Sequence, residues 1–269
     1  MAGLLKIVAT PIGNLADMSP RAVQALKDCS VILAENMTHS RKLFSSIGLD
    51  LSQIKLISCA AAEEIKRIPV ILERLERGEI IALVSDAGAP AISDPGGRLI
   101  GAVIEAGYRI EVIPGPSAII TALMGCGLIA HRFAFLGFLP KKGKERIKII
   151  QDAYRASLAL VIFESPNRVQ ETLLDLFKLC GPQRVVLARE LTKHFETFHR
   201  GFLGQDLEPV LVEKGEFVII VEAGNSNPEA IIPEKVFQES VMGNKAMAKK
   251  IAAQYGISVK QAYQKLLES

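Results

Sequence analysis

Up to Ile113 the chain repeats one alternation: a short run of consecutive apolar residues, then a segment with helical spacing. The runs are Leu4–Ala9, Val31–Ala34, Ile54–Ile57, Ile80–Val84 and Arg109–Ile113, rich in Ile and Val and, apart from Lys6, Lys55 and the charged Arg109 and Glu111, apolar at successive rather than alternate positions. A strand apolar on both faces needs cover on both faces, which a parallel sheet sandwiched between helices provides. The intervening segments supply that cover. Ser19-Pro20 reads as an N-cap followed by proline at the first helical position, with Ala22, Val23, Ala25 and Leu26 on one side. Further helices are expected around Arg41–Ile47, over Glu63–Glu76 up to Gly78, and over Arg98–Ala106 up to Gly107. The expectation is a mostly parallel α/β sheet with helices.

Pro114-Gly115-Pro116 breaks the alternation and marks the expected hinge between an N-terminal domain, 1–115, and a second domain, 116–226. The second half predicts an apolar helix (Ser117–Met124), a strand (Phe133–Phe138), a basic helix to about Arg155, a strand (Leu158–Phe163) and a helix (Asn167–Leu179) closed by Gly181-Pro182. Strand Arg184–Ala188, a hairpin near Thr197–Leu203 and strand Glu216–Val221 complete a mixed α/β unit. Asn225-Ser226-Asn227-Pro228 reads as a linker to a small extension, 227–269. Within it, apolar residues at helical spacing flank Gly256-Ile257-Ser258, a helix-turn-helix-like pattern that a plain αα-hairpin fits equally well.

Composition narrows the function classes. With 49% hydrophobic and 23% charged residues the chain can bury a sizeable core. Its longest apolar runs are strand-sized, so no membrane span is expected. The N-terminus lacks a charged-then-apolar leader, and Cys29, Cys59, Cys126 and Cys180 are widely spaced without nearby His. That argues against a disulfide framework and a metal site and suits a reducing cytoplasm.

Charge is uneven. The net charge is +3, yet residues 141–148 hold Lys141, Lys142, Lys144, Arg146 and Lys148 against Glu145 alone, and residues 242–269 hold five lysines against Glu268. The remainder is acidic. Two basic segments on an acidic body suggest a polyanion touched at defined places, although either alone reads as a solvated helix face.

Several familiar machines are missing: no P-loop, no G-x-G-x-x-G after the first strand, no nucleophile elbow around Ser117, and no paired-His metal motif. Three loops remain, each after an expected strand. Thr10-Pro11-Ile12-Gly13-Asn14-Leu15 lets backbone approach a ligand, and residues 85–97 hold only small residues, Ile92, prolines and the carboxylates of Asp86 and Asp94. Pro114-Gly115-Pro116-Ser117 opens a helix whose first amides are available. Parallel sheets bind ligands beyond the carboxyl ends of their strands, so the three could line one pocket for a nucleotide-like molecule. Polar clusters also follow strands at Glu35-Asn36, at Glu164–Arg168 and at Arg189-Glu190-Leu191-Thr192-Lys193-His194. Charges directly after buried strands must be paired or face a cleft.

Taken together, Leu5–Leu15, Leu83–Gly96, Ile113–Leu128, Phe135–Lys144, Ile162–Arg168, Val186–Gly201 and Gly215–Glu222 resemble the ribosomal RNA small subunit methyltransferase I family, itself similar to the tetrapyrrole methylases. Leu187-Ala188-Arg189-Glu190-Leu191-Thr192-Lys193 and Gly137-Phe138-Leu139-Pro140 are its most specific segments. The resemblance implies two α/β domains with S-adenosyl-L-methionine in the cleft between them, usually in a homodimer. It implies methyl transfer to the ribose 2′-hydroxyl of a decoding-centre cytidine in the 16S rRNA of the small ribosomal subunit. Carried over by motif, the cofactor contacts are Pro11, Ile12, Asp86, Gly88, Ala89, Ile92, Ser117 and Ala118, with Phe163 and Ala188 closing the pocket from the second domain.

One segment departs from the family pattern Glu-Asp-Thr-Arg-His, reading Glu35-Asn36-Met37-Thr38-His39, and Ala89 stands where Thr is usual. These changes bear on substrate choice more than on cofactor binding, so a paralogue with another RNA target stays open, as does a tetrapyrrole-type small-molecule methyltransferase.

Methyl transfer from a sulfonium is an in-line displacement, and the acceptor oxygen must lose its proton. Glu190, Lys193 and Glu35 are the candidate catalytic groups. Lys141, Lys142, Lys144, Arg146, Arg168, Arg189, Lys249, Lys250 and Lys260 are the candidate RNA contacts. No metal is required.

Overall fold

The computed structural model describes residues 3–205, 214–223, 248–249, 259–260 and 263–264. The chain divides into two units: Met1–Thr121 with Leu191–His194, and Ala122–Glu190 with Phe195–Ser269.

In the first unit, β1 (Leu4–Val8), β2 (Val31–Ala34), β3 (Lys55–Ser58), β4 (Ile80–Val84) and β5 (Arg109–Ile113) form one sheet in the order β3-β2-β4-β1-β5. Every pairing is parallel. Alternate residues of one strand serve opposite cores. Ile32 and Ala34 of β2 pack on the side of α1 (Pro20–Lys27) and α2 (Met37–Ser46). Val31 and Leu33 pack against Ile71 and Leu75 of α3 (Glu64–Glu76) and Leu99 and Val103 of α4 (Gly97–Glu105). This double burial is why the strands are apolar without alternation.

Helix α1 opens as its sequence indicates, with the Ser19 hydroxyl accepting from the Ala22 amide and Pro20 in the first turn. Helix α2 instead begins four residues before the expected Arg41. The Asn36 side chain accepts from the amides of Thr38 and His39 at 3.0 and 3.2 Å, and this cap nucleates the extra turn.

Helix α5 (Ala118–Cys126) follows β5. In the second unit come β6 (Phe133–Phe138), α6 (Lys144–Arg155), β7 (Ala159–Glu164), α7 (Val169–Cys180), β8 (Arg184–Arg189), β9 (Thr197–Phe202) and β10 (Phe217–Val221). The sheet order is β6-β7-β10-β8-β9, with β6 and β7 parallel and the other neighbours antiparallel. It is the mixed sheet the sequence suggests. One face packs Leu160, Ile162, Leu187, Ile219 and Val221 against Ile150, Val169 and Leu176 of α6 and α7. All four cysteines are buried thiols. Among the described residues no helix is long and apolar enough to cross a membrane. Lys250 and nearly all of the 227–269 extension, with its helix-turn-helix-like pattern, lie outside the described residues.

Candidate functional site

Strands β4, β1 and β5 are neighbours, so the loops leaving their carboxyl ends are neighbours too. Thr10 and Gly88 form an antiparallel bridge, exchanging backbone hydrogen bonds of 2.9 and 3.0 Å. The Thr10 hydroxyl donates to the Ser85 carbonyl, and the Ser85 hydroxyl donates to the Ala87 and Gly88 carbonyls. Gly88 has φ +76°, and a Cβ there would lie 3.2 Å from Ile12. A Cβ on Gly115 would come within 2.9 Å of the Ala9 side chain. The three loops selected from the sequence, which carry Pro11, Ile12, Asp86, Gly88, Ala89, Ile92, Ser117 and Ala118, thus meet at one end of the first sheet through Ala9, Thr10, Ile12, Ser85, Gly88 and Gly115.

A fourth loop, after β2, joins them. The Asn36 amide donates to the Asp86 carboxylate at 3.1 Å. Glu35 is raised above its ordinary pKa by burial and by the Asp86 charge beside it. Asp94 is pushed up to about 6 by burial first, then by Glu35, with a smaller contribution from Asp86. Three carboxylates therefore share one poorly hydrated corner, and the sequence reading had singled out only Glu35 and Asp86. The far end of the 85–97 loop is anchored by another residue it missed. Glu64, buried on α3, accepts from the amides of Arg98 and Leu99 at 2.8 and 3.0 Å, capping α4. Neither residue carries a motif; Asp94 was visible only as a second acid within the loop.

The Leu191–His194 segment belongs to this first unit, and it lies against Gly13. A Cβ on Gly13 would meet Lys193 Cγ at 2.5 Å and Thr192 Oγ1 at 2.8 Å. Lys193 is thus placed beside the first loop.

In the second unit the register aligns one row of residues across the sheet. Phe138 pairs with Phe163, Phe163 with Val218, Val218 with Ala188, and Ala188 with Phe198. The two candidate pocket-closing residues share a face. Glu190, with φ +50°, accepts from the Glu216 amide at 2.9 Å through its side chain. Its own amide donates to the Glu216 carbonyl. Arg189 donates to the Lys214 carbonyl at 3.0 Å. Glu190 and Lys193 fall in different units, and Glu190 is tied to the start of β10.

The basic candidates separate into two groups. Lys141, Lys142, Lys144, Lys249 and Lys260 are exposed. Arg146 is buried: its guanidinium donates to Asp175 at 2.9 Å, to the Thr172 hydroxyl at 2.9 Å and to the Pro140 carbonyl at 3.1 Å. Thr172 in turn donates to Glu164 at 2.7 Å, and Arg168 donates to the Leu139 and Pro140 carbonyls while lying 3.5 Å from Glu164. These two arginines spend their charge inside the unit, on buried Glu164, half-buried Asp175 and backbone carbonyls. Spacing could not show this, because Asp175 and Thr172 are about one helical turn apart on a different helix.

A two-unit α/β chain with four loops gathered at the carboxyl ends of its first sheet is a tetrapyrrole methylase in fold. The family described as Tetrapyrrole (Corrin/Porphyrin) Methylases matches residues 5–205. Solved structures of similar fold include the methyltransferase CobJ (TM-score 0.63, 19% identity, 83% of this chain and 95% of that one). Diphthine synthase is another, at TM-score 0.65 and 16% identity over 82% of this chain and 90% of that one.

Curated relatives are more specific. Proteins named Ribosomal RNA small subunit methyltransferase I are 39% identical in Halalkalibacterium halodurans (89% of this chain, 81% of the relative) and 43% in Xylella fastidiosa (86% of each). The Escherichia coli O157:H7 protein of that name is 38% identical over 93% of this chain and 88% of its own length. The chain belongs to the ribosomal RNA small subunit methyltransferase I family.

Proposed function

We propose that this chain methylates the 16S rRNA of the small ribosomal subunit, using S-adenosyl-L-methionine and transferring the methyl group to the ribose 2′-hydroxyl of a decoding-centre cytidine. The observation that carries the reading is the convergence of four loops on one acidic corner in a chain of this family. The residues there fit the cofactor. Burial first, and then the charges of their neighbours, raise the pKa values of Glu35 and Asp94 beside Asp86, and a cationic ligand stabilises the ionised carboxylates.

When bound, S-adenosyl-L-methionine supplies a methyl group on a positively charged sulfur. The chain's residues do the rest. Pro11, Ile12, Gly88, Ala89, Ile92, Ser117 and Ala118 offer closely approachable backbone and small side chains, and Phe163 and Ala188 add an apolar surface that excludes water. Asp86, oriented by the Asn36 amide, supplies a fixed acceptor. Of the candidate groups Glu35, Glu190 and Lys193, Glu35 is the carboxylate whose raised pKa makes it the better proton acceptor from the 2′-hydroxyl. Lys193 beside Gly13 orients the acceptor, and Glu190 holds the segment that carries it.

Exposed Lys141, Lys142 and Lys144 grip the RNA backbone, with Lys249, Lys250 and Lys260 of the 227–269 extension adding a second grip on the polyanion. The proposed division into domains 1–115, 116–226 and 227–269 assigns cofactor chemistry to the first two and RNA contact to the second and the last. The proposed assembly is a cytoplasmic homodimer, in keeping with the exposed Ile120 and Met124 on α5.

The test is methyl transfer from labelled S-adenosyl-L-methionine to small ribosomal subunits purified from a strain lacking this gene, followed by mapping of the label. Label on the 2′-oxygen of a decoding-centre cytidine is the expected result. Label elsewhere in the RNA overturns the site assignment, and label on small tetrapyrroles alone overturns the substrate class.

A further inference from the structure

Phe138 ends β6 and is 61% exposed, an unusual position for a phenylalanine beside a buried strand. A bulge puts it there. The register between β6 and β7 shifts between Phe135 and Gly137, leaving Leu136 as the extra residue, and Gly137 takes φ +62°. Phe135 pairs with Val161 and Phe138 with Phe163, so both lie on the same face although three residues apart. Strict alternation would have sent Phe138 to the helix-covered face. Bulges re-aim side chains in this way beside functional sites. The result is three rings together: Phe163 meets Phe135 edge-on at 4.8 Å and Phe138 at 5.6 Å.

Directly after Phe138 the chain is clamped. Arg168 and Arg146 both donate to the Pro140 carbonyl, Arg168 also to that of Leu139; Arg168 is held by buried Glu164, and Arg146 by buried Thr172 and half-buried Asp175. Exposed Lys141 and Lys142 follow at once. An exposed aromatic ring therefore stands within about 14 Å of chain from two cations on a frame that does not need to be ordered on binding. Single-stranded nucleic acid is recognised by this combination, a ring for the base and cations for the phosphates beside it.

We propose that Phe138 is a stacking platform for an unpaired base of the RNA substrate, with Lys141 and Lys142 holding the adjoining phosphates. The proposal deepens the RNA reading above and rests on it. The flanking lysines favour a polyanion over a second copy of the chain, since two copies meeting here would bring like charges together.

The experiment measures binding of the full chain to small ribosomal subunits from the deletion strain, and to their extracted 16S rRNA, across a salt series. S-adenosyl-L-methionine affinity and oligomeric state are measured in parallel. Phe138→Ala is expected to weaken RNA binding about 5- to 100-fold. Its salt slope and oligomeric state should stay unchanged, its cofactor affinity should change far less than its RNA affinity, and Phe138→Tyr should restore binding. The double variant Lys141→Ala, Lys142→Ala should lower the salt slope by about 1.4. RNA affinity within twofold of the parent for Phe138→Ala overturns the proposal. So does full recovery by Phe138→Leu, which restores apolar area without a ring, or a change of oligomeric state in Phe138→Ala. If the parent chain binds neither substrate, the RNA reading beneath falls and takes this proposal with it.

Discussion

Phe163 and Ala188 flank a single residue, Val218, each directly opposite or beside it in the register of β7, β10 and β8. The relationship turns two residues of distant sequence position into one apolar strip, with Ala188 fully buried and Val218 nearly so. The row leaves no room for a larger side chain at Ala188, the residue proposed to close the cofactor pocket. Ala188→Leu adds three carbons to a packed row and should cost about 1–3 kcal/mol of stability. It should also weaken S-adenosyl-L-methionine binding by calorimetry while leaving the salt slope of RNA binding unchanged. Unaltered cofactor affinity in a folded variant would remove Ala188 from the site.

The acidic corner gives a pH signature. Asp94 titrates at about 6 when folded, above the ordinary carboxylate value of 3.8. A carboxyl whose folded pKa is raised destabilises the fold while ionised, and the penalty fades as pH falls through 6 and is gone below about 4. Asp94→Asn should therefore raise the melting temperature at pH 8 and do progressively less as pH falls through 6. Cofactor affinity runs the other way, because protonating Asp94 removes a negative charge that a sulfonium would face. Binding in the parent chain should weaken as pH drops from 7 to 5, and in Asp94→Asn that slope should flatten.

Glu64 makes a prediction of a different kind, since it never faces the ligand corner directly. Its buried carboxylate accepts two amides at the start of α4, immediately after the 85–97 loop. Glu64→Ala strands both donors and should destabilise the chain by about 2–3 kcal/mol. Glu64→Gln keeps an acceptor and should lose less than half as much. Because the cap fixes the loop's exit, the alanine variant should also show weakened cofactor binding, and faster hydrogen exchange over residues 85–97 would locate the cause.

How far the sequence foretold this structure depends on what kind of signal each feature has. The central strands β2, β4 and β1 of the first unit were legible because burial on both faces leaves nearly continuous apolar runs, and the edge strands β3 and β5 because they fall at the same spacing between helices. The three glycine- and proline-containing loops were legible because backbone that approaches a ligand excludes large side chains. The fourth loop was not. Asn36 looks like part of a polar cluster, and only the structure shows it capping α2 with its side chain while its amide reaches Asp86. Arg146 and Arg168 show the same limit from the other side. In sequence Arg146 sits among exposed lysines and Arg168 at a helix start, and nothing local distinguishes a cation that meets solvent from one that meets Thr172 and Asp175 or the Leu139 and Pro140 carbonyls.

Gly13 tests the placement of Lys193. The glycine's φ is unremarkable, so an added methyl group acts through space alone. It would meet Lys193 Cγ at 2.5 Å, Thr192 Oγ1 at 2.8 Å and the Leu191 carbonyl at 3.0 Å. The last contact is backbone and cannot rotate away, so the segment must shift. Gly13→Ala should lower kcat at least tenfold, since a displacement of about 1 Å near the chemistry has effects of that order or larger. S-adenosyl-L-methionine affinity should change less than kcat. A variant with parental kcat would place Lys193 outside the reaction.

The two groups of cations can be separated by reading stability and salt dependence side by side. Arg146 is buried and serves half-buried Asp175, Thr172 and the Pro140 carbonyl, so Arg146→Met removes three charge-assisted hydrogen bonds and should destabilise the chain by about 2–3 kcal/mol. Lys142 is exposed, and Lys142→Ala should leave the melting temperature within about a degree of the parent. Salt dependence of RNA binding should reverse the order. Lys142→Ala removes a phosphate contact and should lower the logarithmic slope by about 0.7, whereas Arg146→Met, with Arg168 still holding Pro140, should leave it near the parental value. A slope that falls in Arg146→Met without loss of stability would put that guanidinium on the RNA after all.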